Sequence, residues 1–155
     1  SSNVYGEYQQ LYRIIPKTII KIKLGEIIEL HGRGQTKRDF ININDLNNAL
    51  YVLINKGKIG ESYNIANKNK LISIYDLVKL ICNILNVSDM KNIMKLIDEN
   101  FGQDSKYFLN TEKIRNLGWS EKITLDKGIK NTILWINKNW SLIEKMPHEY
   151  IHKKY

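Results

Sequence analysis

The sequence predicts an α/β fold, and three observations predict it. Short β-branched runs alternate with stretches of helical apolar spacing along the 155 residues. Each helical stretch carries its own start and stop residues. No strand candidate is the long, continuous apolar run of a deeply buried parallel sheet, so the strands are short.

The elements follow in order. Ser2 to Tyr5 reads as the end of a strand running into a turn at Gly6. Ile14 to Leu24 has helical apolar spacing, with Pro16 tolerated in the first turn and Gly25 as the stop. Ile27 to Leu30 and Asp39 to Ile43 are β-branched strands on either side of the turn Gly32-Arg33-Gly34. Asn44 is expected to cap a helix to about Asn55, ended by Gly57. Ser62 to Ile65 alternates as a short strand. Ser73, with Asp76 three residues on, makes a capping-box-like start for a helix through Leu85. Ile93 to Ile97 is a further strand, and Thr111 to Leu117 a short helix closed by Gly118. The last helix runs from Leu125 to about Asn139, capped by Thr124.

At this length one globular core is expected. A hydrophobic content of 43% with 26% charged residues marks a folded chain. The longest apolar runs are broken by lysine or asparagine, so no membrane span and no membrane partner are expected. The start does not resemble a secretory signal. The single cysteine, Cys82, sits in an apolar helical pattern; it reads as a buried structural thiol and favours a reducing, cytoplasmic compartment. The net charge of +8 raises the question of nucleic acid. The lysines are scattered singly over helix faces, however, and only His152-Lys153-Lys154 clusters, which argues for a solvated surface.

Few motifs carry chemistry. Gly32 and Gly34 give half of a dinucleotide fingerprint, but Lys37 stands at the third glycine and a strand follows, so a tight turn is the better reading. Tyr75 with Lys79 and Tyr150 with Lys154 have the spacing of a base and its cation, a spacing that chance supplies among nine tyrosines. His31, His148 and His152 have no metal-ligand grouping, and Trp119, Trp135 and Trp140 read as core or interface aromatics. No triad, carboxylate pair or nucleophile elbow stands out. Arg38, at a strand start in Arg38-Asp39-Phe40, is the residue best suited to grip a phosphate, because a guanidinium makes paired charge-assisted hydrogen bonds.

A series of segments, in order, carries a resemblance. They are Asn3-Val4-Tyr5-Gly6, Arg13-Ile14-Ile15-Pro16, Leu30-His31-Gly32-Arg33-Gly34, Arg38-Asp39-Phe40, Tyr63-Asn64-Ile65-Ala66, Asp104 with Tyr107, and Leu117-Gly118-Trp119. The run from Gly128-Ile129-Lys130 through Trp135 to Trp140 completes it. The series resembles the C-terminal half of the extended short-chain dehydrogenases acting on nucleotide sugars, above all the nucleoside-diphosphate-glucose 4,6-dehydratases.

The resemblance implies an α/β, C-terminal substrate-binding portion (residues 1–140, with a tail at 141–155) whose N-terminal, NAD-binding Rossmann core is absent from this sequence. It implies an NAD-dependent lyase that oxidises the sugar at C4, loses water across C5 and C6 and returns the hydride at C6, as in rhamnose biosynthesis. The family's catalytic tyrosine, lysine and carboxylates fall upstream, so no catalytic residue is expected here and the segment alone should be inert. Full-length members imply a homodimer. The implied substrate is UDP- or dTDP-glucose. Asn3 would touch the diphosphate or sugar; Arg13 takes the place of a usual lysine near the nucleotide, with Ile14 beside it; Glu29, Leu30 and His31 would cradle base and ribose, His31 as in uridine-diphosphate users. Arg38 would clamp the diphosphate. Ser73 and Asn100 stand at substrate positions usually held by asparagine and arginine, and Val4 at a cofactor position usually held by asparagine. An epimerase or decarboxylase of UDP-sugars on the same scaffold, or a standalone nucleotide- or nucleic-acid-binding module, are the alternatives.

Overall fold

The computed structural model describes residues 1–68, 70–98 and 108–150. In chain order it contains β1 (Asn3–Tyr5), α1 (Ile14–Leu24), β2 (Ile28–His31), a 3-10 turn (Gly32–Gly34), β3 (Lys37–Arg38), β4 (Phe40–Asn42) and α2 (Ile43–Lys56). There follow β5 (Ile72–Ser73), α3 (Ile74–Ile84), α4 (Met90–Ile93), β6 (Met94–Ile97), α5 (Glu112–Arg115), α6 (Leu125–Lys138) and α7 (Trp140–Ile143). The fold is α/β, as expected.

Among the described residues the strands pair two by two. β1 runs parallel to β4 with Asn3 opposite Phe40, β2 runs parallel to β6 with Leu30 opposite Leu96, and β3 lies antiparallel to β5 with Arg38 opposite Ile72. Parallel neighbours far apart in sequence need crossovers, and α1 supplies the one between β1 and β4.

The core is built on helix faces. Ile15, Ile19 and Ile20 of α1 meet Leu77 and Ile81 of α3 and Ile129, Ile133 and Ile136 of α6, with Tyr5 and Phe40 closing the strand side. The other face of α3 offers Val78 and Cys82 to Ile28 and Leu30 of β2. Thus α3 is apolar on two sides because it is packed on two sides. A further cluster joins Ile41 and Ala49 to Ile65, Ile114 and Trp119. Burial pushes the Cys82 thiol up, as for a packing residue. α7 brings Ile143 into the main core at 2 % exposure.

Most element ends match their sequence signals. Gly25, at φ +70°, donates its amide to the Ile22 carbonyl while the Glu26 amide reaches the Lys21 carbonyl, closing α1. Ser73 Oγ accepts from the Asp76 amide at 3.0 Å, and Thr124 caps α6 through the Lys127 amide. Two expectations are corrected. α2 begins at Ile43 with Asn42 as its cap, because the Asn42 side chain accepts from the Asn44 amide at 3.0 Å; Ile43 therefore belongs to the helix and not to a strand. Residues Ser62 to Ile65 form no strand ladder among the described residues: the Ser2 amide donates to the Ile65 carbonyl at 3.0 Å, and Asn64 turns its side-chain amide to the Asn110 carbonyl.

Candidate functional site

A cleft of about 890 Å³ opens where β1 leaves its sheet. It is lined by β1, by residues of the loop that runs from Gly6 to Tyr12, by the start of α1, and by Arg38, Phe40, Ile43 and Ile74. Local sequence forces the loop away from the strand. Gly6 takes φ +148° where an added Cβ would meet the Ile43 Cγ2 at 2.6 Å, and Tyr8 takes φ +63°. Gln9 then ties the loop back, its Nε2 donating to the Val4 carbonyl at 2.7 Å. The Arg13 amide donates to the Gln10 carbonyl as the chain enters α1.

Five of the residues singled out in the sequence meet in this cleft: Asn3, Val4, Arg13, Ile14 and Arg38. Arg38 is half-buried, with Nη1 donating to the Lys37 carbonyl at 2.9 Å. The next residue faces the other way: Asp39 is buried and accepts from the Asn67 amide and side chain at 2.9 and 2.7 Å. Alternation along the chain therefore sends the cation to the cleft and the anion to a structural lock. Asn3 donates both its amide and its Nδ2 to the Asp39 carbonyl, at 3.1 and 3.0 Å, so its position is tied to the Arg38 segment. Arg13 is exposed at the mouth, with Cζ 5.4 Å from the Tyr12 ring centroid.

Among the described residues the charged side chains on the lining are Arg13, Arg38 and Glu7. Two guanidiniums against one carboxylate give a positive balance on a partly apolar wall, which suits an anionic ligand with an apolar or ring-shaped portion.

The remaining candidates lie elsewhere. Glu29, on β2, pairs with Lys95 at 3.0 Å, and that hydrogen bond and charge hold its carboxyl below its ordinary range. Leu30 is core at 2 % exposure, and His31 is exposed at the end of β2. Ser73 is buried in the cap of α3, its hydroxyl 2.6 Å from Asp76 Oδ2. Asn100 lies outside the described residues, as do Asp104, Tyr107, His152 and Lys154.

Val4 is half-buried and offers the cleft an apolar wall without a polar group. Gly34 cannot serve as an open phosphate cradle, because an added Cβ there would lie 2.9 Å from the Tyr75 amide nitrogen.

Tyr8, Gln9 and Tyr12 also line the cleft, and sequence reasoning alone does not single them out. The signal available is the polar and aromatic run Glu7-Tyr8-Gln9-Gln10-Leu11-Tyr12 between a strand-ending glycine and a helix start. Gln9 Oε1 is buried without a hydrogen-bond partner among the described residues.

Comparison with known proteins gives a consistent outcome. The NAD dependent epimerase/dehydratase family model matches residues 1–66. A dTDP-D-glucose 4,6-dehydratase of Homo sapiens is 34% identical over 151 residues, covering 94% of this chain and 43% of its own length. A trifunctional UDP-glucose 4,6-dehydratase/3,5-epimerase/reductase of Arabidopsis thaliana is 36% identical over 138 residues, 89% of this chain and 20% of its own length. Among solved structures, a dTDP-glucose 4,6-dehydratase of Bacillus anthracis in complex with NAD superposes with a TM-score of 0.82 at 31% identity, over 91% of this chain and 44% of that one. A UDP-glucose 4-epimerase of Thermotoga maritima with UDP-glucose superposes at 0.79 and 26% identity, over 90% of this chain and 45% of that one. The chain thus spans less than half the length of these relatives.

Proposed function

Because this chain is an extended short-chain dehydrogenase/reductase related to the nucleoside-diphosphate-glucose 4,6-dehydratases, we propose that it forms the nucleotide-sugar-binding part of such an enzyme, acting on UDP- or dTDP-glucose. The observation that carries this reading is the gathering of Arg38, Arg13 and Asn3 on one cleft. Arg38 receives the diphosphate through its planar fork, with Arg13 as a second cation toward the nucleotide. Asn3, whose backbone and side-chain amides both donate to the Asp39 carbonyl, gives the second hydrogen of its Nδ2 to the diphosphate or the sugar. Phe40, Ile43 and Ile74 keep water from that wall. NAD supplies the hydride acceptor in enzymes of this kind, and Val4 gives it at most an apolar neighbour. On this reading the groups that move protons and the dinucleotide-binding domain lie in the part of such enzymes that this chain does not span, and the complete enzyme is proposed to act as a homodimer.

An epimerase on the same scaffold is the second reading, favoured by the superposition with the Thermotoga maritima enzyme. Supplying UDP-glucose to the full-length protein that carries this chain separates them: a 4-keto-6-deoxy sugar identifies the dehydratase, and UDP-galactose the epimerase.

The binding reading is tested on the chain itself by calorimetric titration with UDP, dTDP and single-stranded nucleic acid. Saturable binding of UDP or dTDP with weak binding of the polymer is expected. Tight polymer binding that falls steeply with salt, without any response to either nucleotide, overturns it.

A further inference from the structure

The residues after α7 return to the cleft. Tyr150 sets its ring edge-on against Tyr12, with centroids 5.1 Å apart at 66°. Tyr12 lines the cleft and lies beneath the Arg13 guanidinium. The neighbouring residues anchor the same segment on α1: Glu149 pairs with Lys17 at 2.5 Å and with Lys21 at 3.3 Å, while His148 lies 3.3 Å from Glu26 just past the helix end. One short stretch thus touches α1 at its first turns, its last turn and the residue that precedes its cap.

From this we propose that His148 to Tyr150 act as a strap across α1, and that Tyr150 and Tyr12 are positioning residues for Arg13. The inference rests on the reading of Arg13 as a nucleotide-facing cation. Each ion pair is exposed on at least one side and would contribute little alone. Together they fix where Tyr150 falls, because the Lys17 and Lys21 ammoniums sit one helical turn apart on a single face. A rigid ring under a guanidinium leaves that side chain fewer rotamers to lose when an anion arrives, so the strap acts on affinity through preorganisation. It also explains why a tyrosine stands in the loop directly before the helix: its ring meets both a cation and the returning chain.

The test compares Tyr150→Ala, Tyr150→Phe and Glu149→Gln with the unaltered chain, reading UDP affinity by calorimetry and amide hydrogen exchange at residues 10–14. Tyr150→Ala is expected to weaken UDP binding by roughly 2- to 10-fold, the value of one aromatic pair, and to speed exchange at 10–14. Tyr150→Phe restores both, and Glu149→Gln falls between. Lys130→Ala, which removes the Lys130–Asp126 pair of α6, leaves both unchanged. If UDP binds and is lost on Arg38→Ala, yet Tyr150→Ala and Glu149→Gln alter neither affinity nor exchange, the strap is overturned while the nucleotide reading stands. If the unaltered chain binds neither UDP nor dTDP, the nucleotide reading fails; exchange at 10–14 then decides alone whether the strap orders the loop.

Discussion

Asp39 holds Asn67 with both carboxylate oxygens, Oδ2 accepting from the backbone amide at 2.9 Å and Oδ1 from the side-chain amide at 2.7 Å. The same Asn67 side chain also donates to the Phe40 carbonyl at 2.6 Å, so one pair of residues pins the strand that follows Arg38. At 6 % exposure the residue is largely shielded from water that could replace these donors. Asp39→Ala should therefore cost about 1.5–3 kcal/mol for each hydrogen bond to the charged group. With two such bonds, and about 2–4 °C per kcal/mol for a chain of this size, a fall in melting temperature of roughly 6–24 °C is expected. Asp39→Asn, which keeps one acceptor, should lose less. Thermal unfolding followed by circular dichroism checks the order; equal melting of all three proteins would show that the lock contributes nothing.

A second contact governs how α6 meets β1. An added Cβ at Gly128 would lie 2.7 Å from Tyr5 Cζ and 2.8 Å from Cε2. In an open helix, glycine to alanine is stabilising by roughly 1 kcal/mol. Here the ring is buried at 1 % exposure within the main core and cannot step aside. Gly128→Ala is expected to destabilise by about 1–3 kcal/mol, the usual effect of overpacking. Urea denaturation measures it, and a gain in stability would mean that the helix slides freely on the strand.

These contacts also mark what could be read from the sequence and what could not. The helices α1, α3 and α6 were legible because apolar spacing and end residues agreed: Gly25 after α1, Ser73 before α3, Thr124 before α6. Asn42 and Asn44 are both good caps, and the tie was broken by β4, whose pairing with β1 runs through Asn42. Ser62 to Ile65 alternates like a strand, but a strand needs a ladder, and alternation cannot say whether a partner is present. Arg38 stood out because a guanidinium at a strand start is an unusual local signal. Gln9 and Tyr12 did not, since a loop has no period. The Tyr12–Tyr150 contact joins distant ends of the chain, which no local pattern encodes.

Tyr5 carries a pH dependence of its own. Burial pushes its hydroxyl up from 10.0 to about 12, and the nearby Asp45 charge pushes the same way against a hydrogen bond from Asn42. A raised value in the folded state means the neutral phenol is favoured there. Its stabilising contribution is complete below the unfolded value of 10.0 and is lost as pH rises toward about 12. Stability should fall by on the order of 2 kcal/mol across that window. Tyr5→Phe should flatten this alkaline slope without changing stability near neutrality by more than about 1 kcal/mol. Unfolding midpoints collected from about pH 8 upward decide it, and an unchanged slope in Tyr5→Phe would assign the loss to other groups.

The strongest expectation concerns the form of the cation at position 38. Both lysine and arginine would keep the charge on the cleft lining that Arg13 shares, so a merely electrostatic cleft would accept Arg38→Lys with little loss. A diphosphate grips differently: two oxygens on adjacent phosphoryl groups meet two parallel N–H donors, which an ammonium cannot supply. Arg38→Ala should weaken UDP binding by roughly 10- to 100-fold, corresponding to ~1.5–3 kcal/mol for a hydrogen bond to a charged group. Arg38→Lys should recover only part of that at fixed ionic strength, and UMP, with one phosphoryl group, should be much less sensitive to either change. Calorimetry with UDP and UMP on the three proteins resolves the pattern. Equal affinities of the unaltered protein and Arg38→Lys would reduce the residue to a diffuse positive charge, and Arg13, exposed at the mouth over Tyr12, would become the better candidate for the phosphate contact.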